Sequence, residues 1–403
     1  MKDCNILKRC LLCGGNVEEI FSLGSTPLAN EFLDKKETQD LFPLNLVKCQ
    51  ECGHVQLDCV VSLDRMFKKY LYVSGTSSVN VKHFEDYAKG VIKDFDLTQE
   101  DLVIDIGSND GTFLKPFLEY QINVLGIDPA ENIVEIARQN GIPTECSFFN
   151  PDLAHTISSS LGKAKVITCN NMFAHNEDLH NIVIGVKQLL QNNGTFIFEN
   201  TYLVDMYEKC IFDIIYHEHI HQHSITPLSN FFEKHGMNIY RVERLPNHGG
   251  SIRVYVCQDD RQIENSVLDL LKLEKDINLK QEFFVNKFSR IKKTLTERLA
   301  KLKEKGYSIA IYGVPAKATT LLYGFDLDES LIDFAVDDAV LKQGLFTPGK
   351  QIPIYSPDEL YKRKPDWVLI LGWNFAESIM SNHEKFEGNW IIPLPQITEY
   401  IKI

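Results

Sequence analysis

The sequence contains no apolar run long enough to span a bilayer, which argues against a helical membrane anchor. Its first residues, Met1-Lys2-Asp3-Cys4-Asn5, lack the apolar stretch of a secretory leader. Both absences predict a cytoplasmic protein with no membrane partner. Basic charge is also short. There are 42 Lys and Arg against 55 Asp and Glu, a formal net charge of -13. No Lys/Arg cluster is interleaved with aromatics, and the Lys-rich stretch 287–305 has the spacing of a solvated helix face. A surface of this sign repels nucleic acid, so an RNA or DNA substrate is not expected. There is no short internal repeat and no low-complexity tract.

What is present is the composition of a globular protein: 403 residues, 44% hydrophobic and 24% charged. At about 150 residues per domain this length predicts two or three domains. Apolar strands alternate with helical stretches from Leu102 onward. Leu102–Ile106 and residues 124–127, 166–168 and 195–198 are short buried-strand candidates, with helices over 111–119 and 132–140 between them. Such alternation predicts a doubly wound α/β sheet. Residues 64–95 read as helical, and 249–256 as a strand entered through Gly249-Gly250. A long amphipathic helix is expected over 276–305. There Phe284, Phe288, Ile291, Leu295, Leu299 and Leu302 recur every three or four residues, and Gly306 is its C-cap. The spacing predicts that it connects two domains while packing against one of them. Ile309–Tyr312, Phe334–Val336 and residues 367–371 predict a second α/β unit. The expected division is 1–65, 66–270 and 271–403.

Cysteine is uneven, with five of ten in the first 52 residues. Cys10-Leu11-Leu12-Cys13 and Cys49-Gln50-Glu51-Cys52 are two CxxC pairs, each followed by glycine. Each pair can deliver two thiolates to one metal, so the quartet predicts a structural, four-coordinate zinc with no open position. Cys4 and Cys59 fall outside the pattern, and His54 is expected to pack rather than ligate.

The stretch Asp105-Ile106-Gly107-Ser108-Asn109-Asp110-Gly111 follows a strand and opens a helix, and Asp128 closes the next strand. A carboxylate there can accept hydrogen bonds from ribose hydroxyls. The three glycines of GxGxxG are missing. The loop fits instead the Asp-x-Gly-x-x-x-Gly form used for S-adenosylmethionine, with Asp105, Gly107, Asn109, Gly111, Asp128 and Asn170 as candidate contacts.

Tyr216-His217-Glu218-His219 is the most unusual stretch, and His221 and His223 follow it. Three readings are open: metal ligands, satisfied structural histidines, or a general base oriented by a carboxylate. No HExxH spacing supports the first. His175 follows the 166–168 strand, where side chains face the ligand crevice of open sheets.

Taken in order, these motifs resemble the sugar C-methyltransferases that methylate a nucleotide-linked keto-deoxysugar. The resemblance runs through the two CxxC pairs and Leu23-Gly24-Ser25-Thr26-Pro27-Leu28-Ala29-Asn30 between them. It continues through the 105–111 loop, residues 170–175, Tyr216-His217-Glu218-His219, and His248-Gly249-Gly250-Ser251-Ile252-Arg253. It ends with Tyr312-Gly313-Val314-Pro315-Ala316-Lys317. It implies a small zinc-binding domain, a class I methyltransferase Rossmann-like domain and a second Rossmann-like C-terminal domain. It implies removal of the C3 proton beside a C4 ketone by His219, with Tyr216, Glu218, His175 and Tyr70 around that site. Lys317, His248 and Arg253 become candidate substrate contacts. The C-terminal domain is expected to close over and hold the nucleotide-sugar without binding NAD, in a monomer. One departure stands out: Ala318-Thr319-Thr320 replaces the family's Gly-Asn-Thr. Other reaction classes remain, namely an O- or N-methyltransferase, an RNA methyltransferase gripping its substrate through zinc, and a non-catalytic binding module.

Overall fold

The computed structural model describes residues 3–67, 73–76 and 78–402, so Tyr70 lies outside the described residues. The N-terminal unit is all β. Strands β1 (Cys4–Ile6), β2 (Val17–Thr26), β3 (Phe42–Cys49), β4 (Val55–Leu57) and β5 (Cys59–Val61) are short and mostly antiparallel.

The central unit carries β6 (Leu102–Ile106), β7 (Asn123–Asp128), β8 (Thr144–Cys146), β9 (Ala164–Asn170), β10 (Leu190–Thr201), β11 (His221–Gln222), β12 (Asn238–Leu245) and β13 (Ser251–Cys257). Seven of these form one sheet in the order β12-β13-β10-β9-β6-β7-β8. Strands β6 to β10 run parallel, and β13 is antiparallel to both β10 and β12. All five residues of β6 are buried, as expected of a strand covered on both faces. The chain order reverses at β6, with β7 and β8 on one side and β9 and β10 on the other. That reversal opens a crevice at the carboxyl ends of β6 and β9. Strand β11 leaves this sheet and pairs with β4, His221 opposite Gln56. The histidine-rich segment is therefore stitched to the N-terminal unit.

The third unit has β14 (Ile309–Tyr312), β15 (Phe334–Val336), β16 (Ile354–Tyr355), β17 (Trp367–Ile370), β18 (Asn389–Ile392) and β19 (Thr398–Tyr400), ordered β16-β15-β14-β17-β18-β19. Only β19 is antiparallel to its neighbour. This unit repeats one detail of the central one. Asp128 accepts from the Asn109 N–H (3.0 Å) and the Ala130 N–H (2.9 Å). Asp337 accepts from the Val314 N–H (2.6 Å) and the Ala339 N–H (2.8 Å) in the same relation to its first strand loop.

Three sequence expectations change in detail. The helical reading of 64–95 is broken into Leu63–Phe67, a 3-10 turn Ser74–Thr76 and Ser78–Asp94. The turn is held by the glycine loop: the Ser74 N–H donates to Asn109 and the Gly75 N–H to Asp110. The helix expected over 111–119 starts later, at Lys115. The long helix, Ile277–Glu304, buries all six apolar residues of its stripe and ends at Gly306, φ +82°. It does not pack against one domain alone. Phe284 and Phe288 meet Phe21 of β2 and Tyr207 and Phe212 of the central unit, while Leu295, Leu299 and Leu302 join the C-terminal core. Each such buried side chain contributes about 1.5–3 kcal/mol, so this helix is the common core of all three units.

The N- and C-terminal units also share a seam. Leu33 and Phe346 exchange two backbone hydrogen bonds (3.1 and 2.8 Å), and the Gly349 N–H reaches Gln39 Oε1 at 2.7 Å. Among the described residues no helix is long and apolar enough to cross a membrane.

Candidate active site and metal centre

The four Sγ atoms of Cys10, Cys13, Cys49 and Cys52 all lie within 4.8 Å of one another. Both CxxC segments make the same turn. The Gly14 N–H closes on the Cys10 carbonyl (2.8 Å) and the Gly53 N–H on the Cys49 carbonyl (3.1 Å). Backbone N–H groups of Gly15 and Glu51 then point at Cys13 Sγ and Cys49 Sγ, each at 3.4 Å. Four thiolates about 2.3 Å from a tetrahedral zinc would stand about 3.8 Å apart. The observed Cys10–Cys52 and Cys13–Cys49 separations are 3.7 and 3.4 Å. The hydrogen bond between Cys10 and Cys52 pushes Cys10 down to about 5 and Cys52 up. The donor set fits zinc and leaves no open position. His54 does not join it: its Nε2 bonds His221 Nδ1 at 2.9 Å, within a buried stack of His54, His221 and His223.

The crevice of the central sheet gathers the other predicted groups. Asp105 is buried at the end of β6 and accepts from Thr168 Oγ1 (2.6 Å) and Asn170 Nδ2 (3.3 Å). Burial, and then the Asp128 charge, push it up to about 7. Gly107 has φ +77°, and a Cβ there would lie 2.8 Å from the Met172 side chain, so no other residue lets the loop pass. Asn109 turns its side chain toward Ser74, and Gly111 packs on Ile142. Asp128 stands beside this loop, its carboxyl pushed up by burial against the two backbone donors. Each oxygen keeps a lone pair for a hydroxyl. Asn170 Oδ1 is buried without a partner among the described residues. A vicinal diol on Asp128 and a polar ligand atom at Asn170 fit this arrangement, which is what S-adenosylmethionine offers.

The Tyr216-His217-Glu218-His219 segment lies beyond this crevice. His219 Nδ1 is 2.8 Å from the Ile214 carbonyl, which only accepts, so Nδ1 carries the proton. Nε2 is then the acceptor, 2.7 Å from the Tyr216 hydroxyl. Burial first, and then His175, hold His219 well below the usual histidine value. His175 stacks on it with ring centroids 5.0 Å apart, is itself pushed down to about 3 by burial, and leaves Nε2 without a partner among the described residues. Glu218 accepts from Asn30 Nδ2 at 2.6 Å. His217 instead turns away to the Pro43 carbonyl (3.1 Å).

The predicted substrate contacts divide into two kinds. Lys317 is buried between the Asp213 carboxylate (3.3 Å), Asn374 Oδ1 (2.7 Å) and the Trp373 ring (4.5 Å). Burial lowers it and Asp213 opposes that. His248 sits near it with φ +54°, pushed down to about 4 by burial and then by the Lys317 charge. A Cβ on the following Gly249 would lie 2.8 Å from Trp373, so the chain can pass there only as glycine. Arg253 is placed differently. Its guanidinium donates to Glu199 (2.9 and 3.2 Å) and Glu243 (3.1 Å) and covers the Tyr87 ring. It holds Glu199 rather than offering a free cation. Glu199 stays ionised despite burial because His83 (2.8 Å) and Arg253 hold it.

Several of these groups were missed from sequence. Asn30 sat in a quoted motif without a role, and Glu199 follows a strand candidate by one residue. Asp213, Trp373 and His83 had no local signal.

A zinc binding domain family matches residues 10–67, a methyltransferase domain family residues 82–242, and the C-methyltransferase C-terminal domain family residues 246–395. The C-methyltransferase NovU of Streptomyces niveus is 32% identical over 403 residues, covering 97% of this chain and 96% of that protein. A SAM-dependent methyltransferase from Anabaena variabilis is 16% identical, over 42% of this chain and 83% of that one, with a TM-score of 0.35. Magnesium protoporphyrin IX methyltransferase from Synechocystis, solved with bound SAM, is also 16% identical, over 45% and 82%, with a TM-score of 0.34. With a cysteine quartet that fits zinc, a methyltransferase domain and a relative matched over 97% of this chain's length, the chain belongs to the S-adenosylmethionine-dependent C-methyltransferase family.

Proposed function

We propose that this protein methylates carbon 3 of a nucleotide-linked 4-keto-deoxysugar, with His219 as the general base. The observation that carries this reading is the tautomer of His219. The Ile214 carbonyl fixes the proton on Nδ1, and Nε2 faces Tyr216 as a neutral acceptor. Bound S-adenosylmethionine supplies an electrophilic methyl group. Carbon is not a nucleophile until a proton leaves it, and a C4 ketone makes the C3 proton removable. His219 Nε2 takes that proton. The Tyr216 hydroxyl, displaced from Nε2 by the substrate, donates to the developing enolate oxygen. Such a donor in a dry site lowers the barrier to charge formation. Glu218, held by Asn30, orients the sugar, and His175 flanks the base. Tyr70 belongs to the same proposed set.

Asp128 would hold the ribose of S-adenosylmethionine, and Asp105, Gly107, Asn109, Gly111 and Asn170 would line the rest of its site. Lys317 and His248 meet the anionic nucleotide portion. Arg253 acts through Glu199. The units are assigned as 1–65, 66–270 and 271–403, in a cytoplasmic monomer.

The test is incubation with candidate nucleotide-keto-sugars and labelled S-adenosylmethionine, followed by solvent deuterium exchange with S-adenosylhomocysteine in place of the donor. Wild-type enzyme exchanges the C3 proton and His219→Asn does not. Efficient methylation of a sugar without a ketone beside the accepting carbon would refute the reading.

A further inference from the structure

Thr319 and Thr320 lie in the C-terminal helix Ala316–Gly324 and are 2% and 1% exposed. A buried threonine inside a helix commonly bonds back to its own helix. These two do not. Thr319 Oγ1 donates to the Ala29 carbonyl at 3.2 Å, and Thr320 Oγ1 to the Ile215 carbonyl at 2.7 Å. Neighbouring residues on one helix thus grip two chain segments from the other two units. The approach is close because Gly324 rests on the Phe212 ring, where a Cβ would be 2.4 Å away, and Phe325 packs edge-on against Phe212 at 5.0 Å.

The gripped carbonyls are not arbitrary. Ala29 precedes Asn30, whose amide holds Glu218. Ile215 precedes Tyr216 and follows Ile214, whose carbonyl sets the His219 tautomer. We propose that Thr319 and Thr320 are positioning residues for methyl transfer: through Ala29 and Ile215 they set Asn30 against Glu218 and align the Tyr216–His219 pair. This rests on the reading of His219 as the base. It also gives Thr319, which departs from the family pattern, and Thr320, which matches it, a shared task in coupling the C-terminal unit to the chemistry.

The test compares Thr320→Val and Thr319→Val, which remove the hydroxyl and keep the shape, with Thr320→Ser and Thr319→Ser. C3-proton exchange, kcat, KM and S-adenosylmethionine affinity are measured in the full-length protein, with His219→Asn run alongside. Misplacing a reacting group by about 1 Å costs on the order of 100-fold. The valine variants are expected to lose about 10–100-fold in exchange and kcat, with KM and cofactor affinity within about twofold. The serine variants are expected to recover the wild-type rate. General loosening would instead raise KM and weaken cofactor binding, and that outcome counts against the proposal. Wild-type exchange in Thr320→Val beside a dead His219→Asn overturns the positioning role alone. Persistent exchange in His219→Asn overturns the base assignment, and the positioning role with it. If the valine variants do not fold, Thr320→Ala against Thr320→Ser decides in the same way: equal rates reject the proposal.

Discussion

The Tyr216 hydroxyl is 2.7 Å from His219 Nε2, and the Ile214 carbonyl is 2.8 Å from Nδ1 of the same ring. One side of the imidazole is therefore a fixed donor and the other a fixed acceptor, with the phenol as its occupant before substrate arrives. Tyr216→Phe removes the group proposed to stabilise the enolate but leaves the base. We expect kcat to fall about 100–1,000-fold, the range for losing one oxyanion donor. C3 exchange should slow in parallel. A Tyr216→Phe variant with unchanged exchange would assign the phenol to the resting state only.

The thiol quartet should bind about one zinc per chain. Cys49→Ala removes a buried ligand, and the expected result is metal loss with a lowered thermal midpoint. Metal analysis beside thermal denaturation checks this. A metal-free protein with wild-type stability and turnover would contradict a structural zinc.

Asp128→Ala should weaken S-adenosylmethionine binding about 10–100-fold, because hydrogen bonding to a charged group is worth about 1.5–3 kcal/mol. Calorimetry reads this directly. Unchanged affinity would move the ribose elsewhere.

Lys317 and Asp213 form a buried pair with side chains 13% and 0% exposed. Removing only the lysine leaves the carboxylate without a counter-charge, held by the Trp373 Nε1–H alone among the described residues (2.6 Å), at a cost of up to about 3–5 kcal/mol. Lys317→Met should therefore lower stability and raise KM for the nucleotide-sugar. Adding Asp213→Asn should restore stability and leave KM high. Recovery of both would reduce Lys317 to a structural ion-pair partner.

His217 is buried, bonded to the Pro43 carbonyl, and pushed down to about 4, chiefly by burial. In the unfolded chain it titrates near about 6.5. The unfolded state thus takes up its proton first as pH falls. Stability from this residue is complete above about pH 6.5 and is lost as pH drops toward 4, up to about 3 kcal/mol. His217→Asn should have a shallower fall in thermal midpoint between pH 7 and 5. Parallel curves for the two proteins would remove His217 from the acid response.

Much of this protein is legible in local pattern. Both CxxC pairs, the 105–111 loop, Asp128 and the stripe from Phe284 to Leu302 are signals written within a few residues. Zinc ligation, a βα turn and helical amphipathy are themselves local physics. The break at 74–76 was not legible, because its cause is Asn109 and Asp110, more than thirty residues away. Arg253 reads as a candidate substrate contact, and nothing beside it in sequence announces Glu199 and Glu243 as its acceptors.

In the sequence alone, residue types at short spacing marked the thiol quartet, the 105–111 loop and the histidine-rich segment as candidates, and the resemblance to sugar C-methyltransferases implied the reaction class. Only the tertiary structure decided which histidine nitrogen is the acceptor, which carboxylates are held and by what, and that β11 joins the N-terminal sheet. Those features depend on groups brought together from distant parts of the chain, from Asn30 to Glu218 and from Thr320 to Ile215. Their partners are chosen by burial around the shared helix Ile277–Glu304, where a polar group removed from water must find a hydrogen bond wherever the fold supplies one.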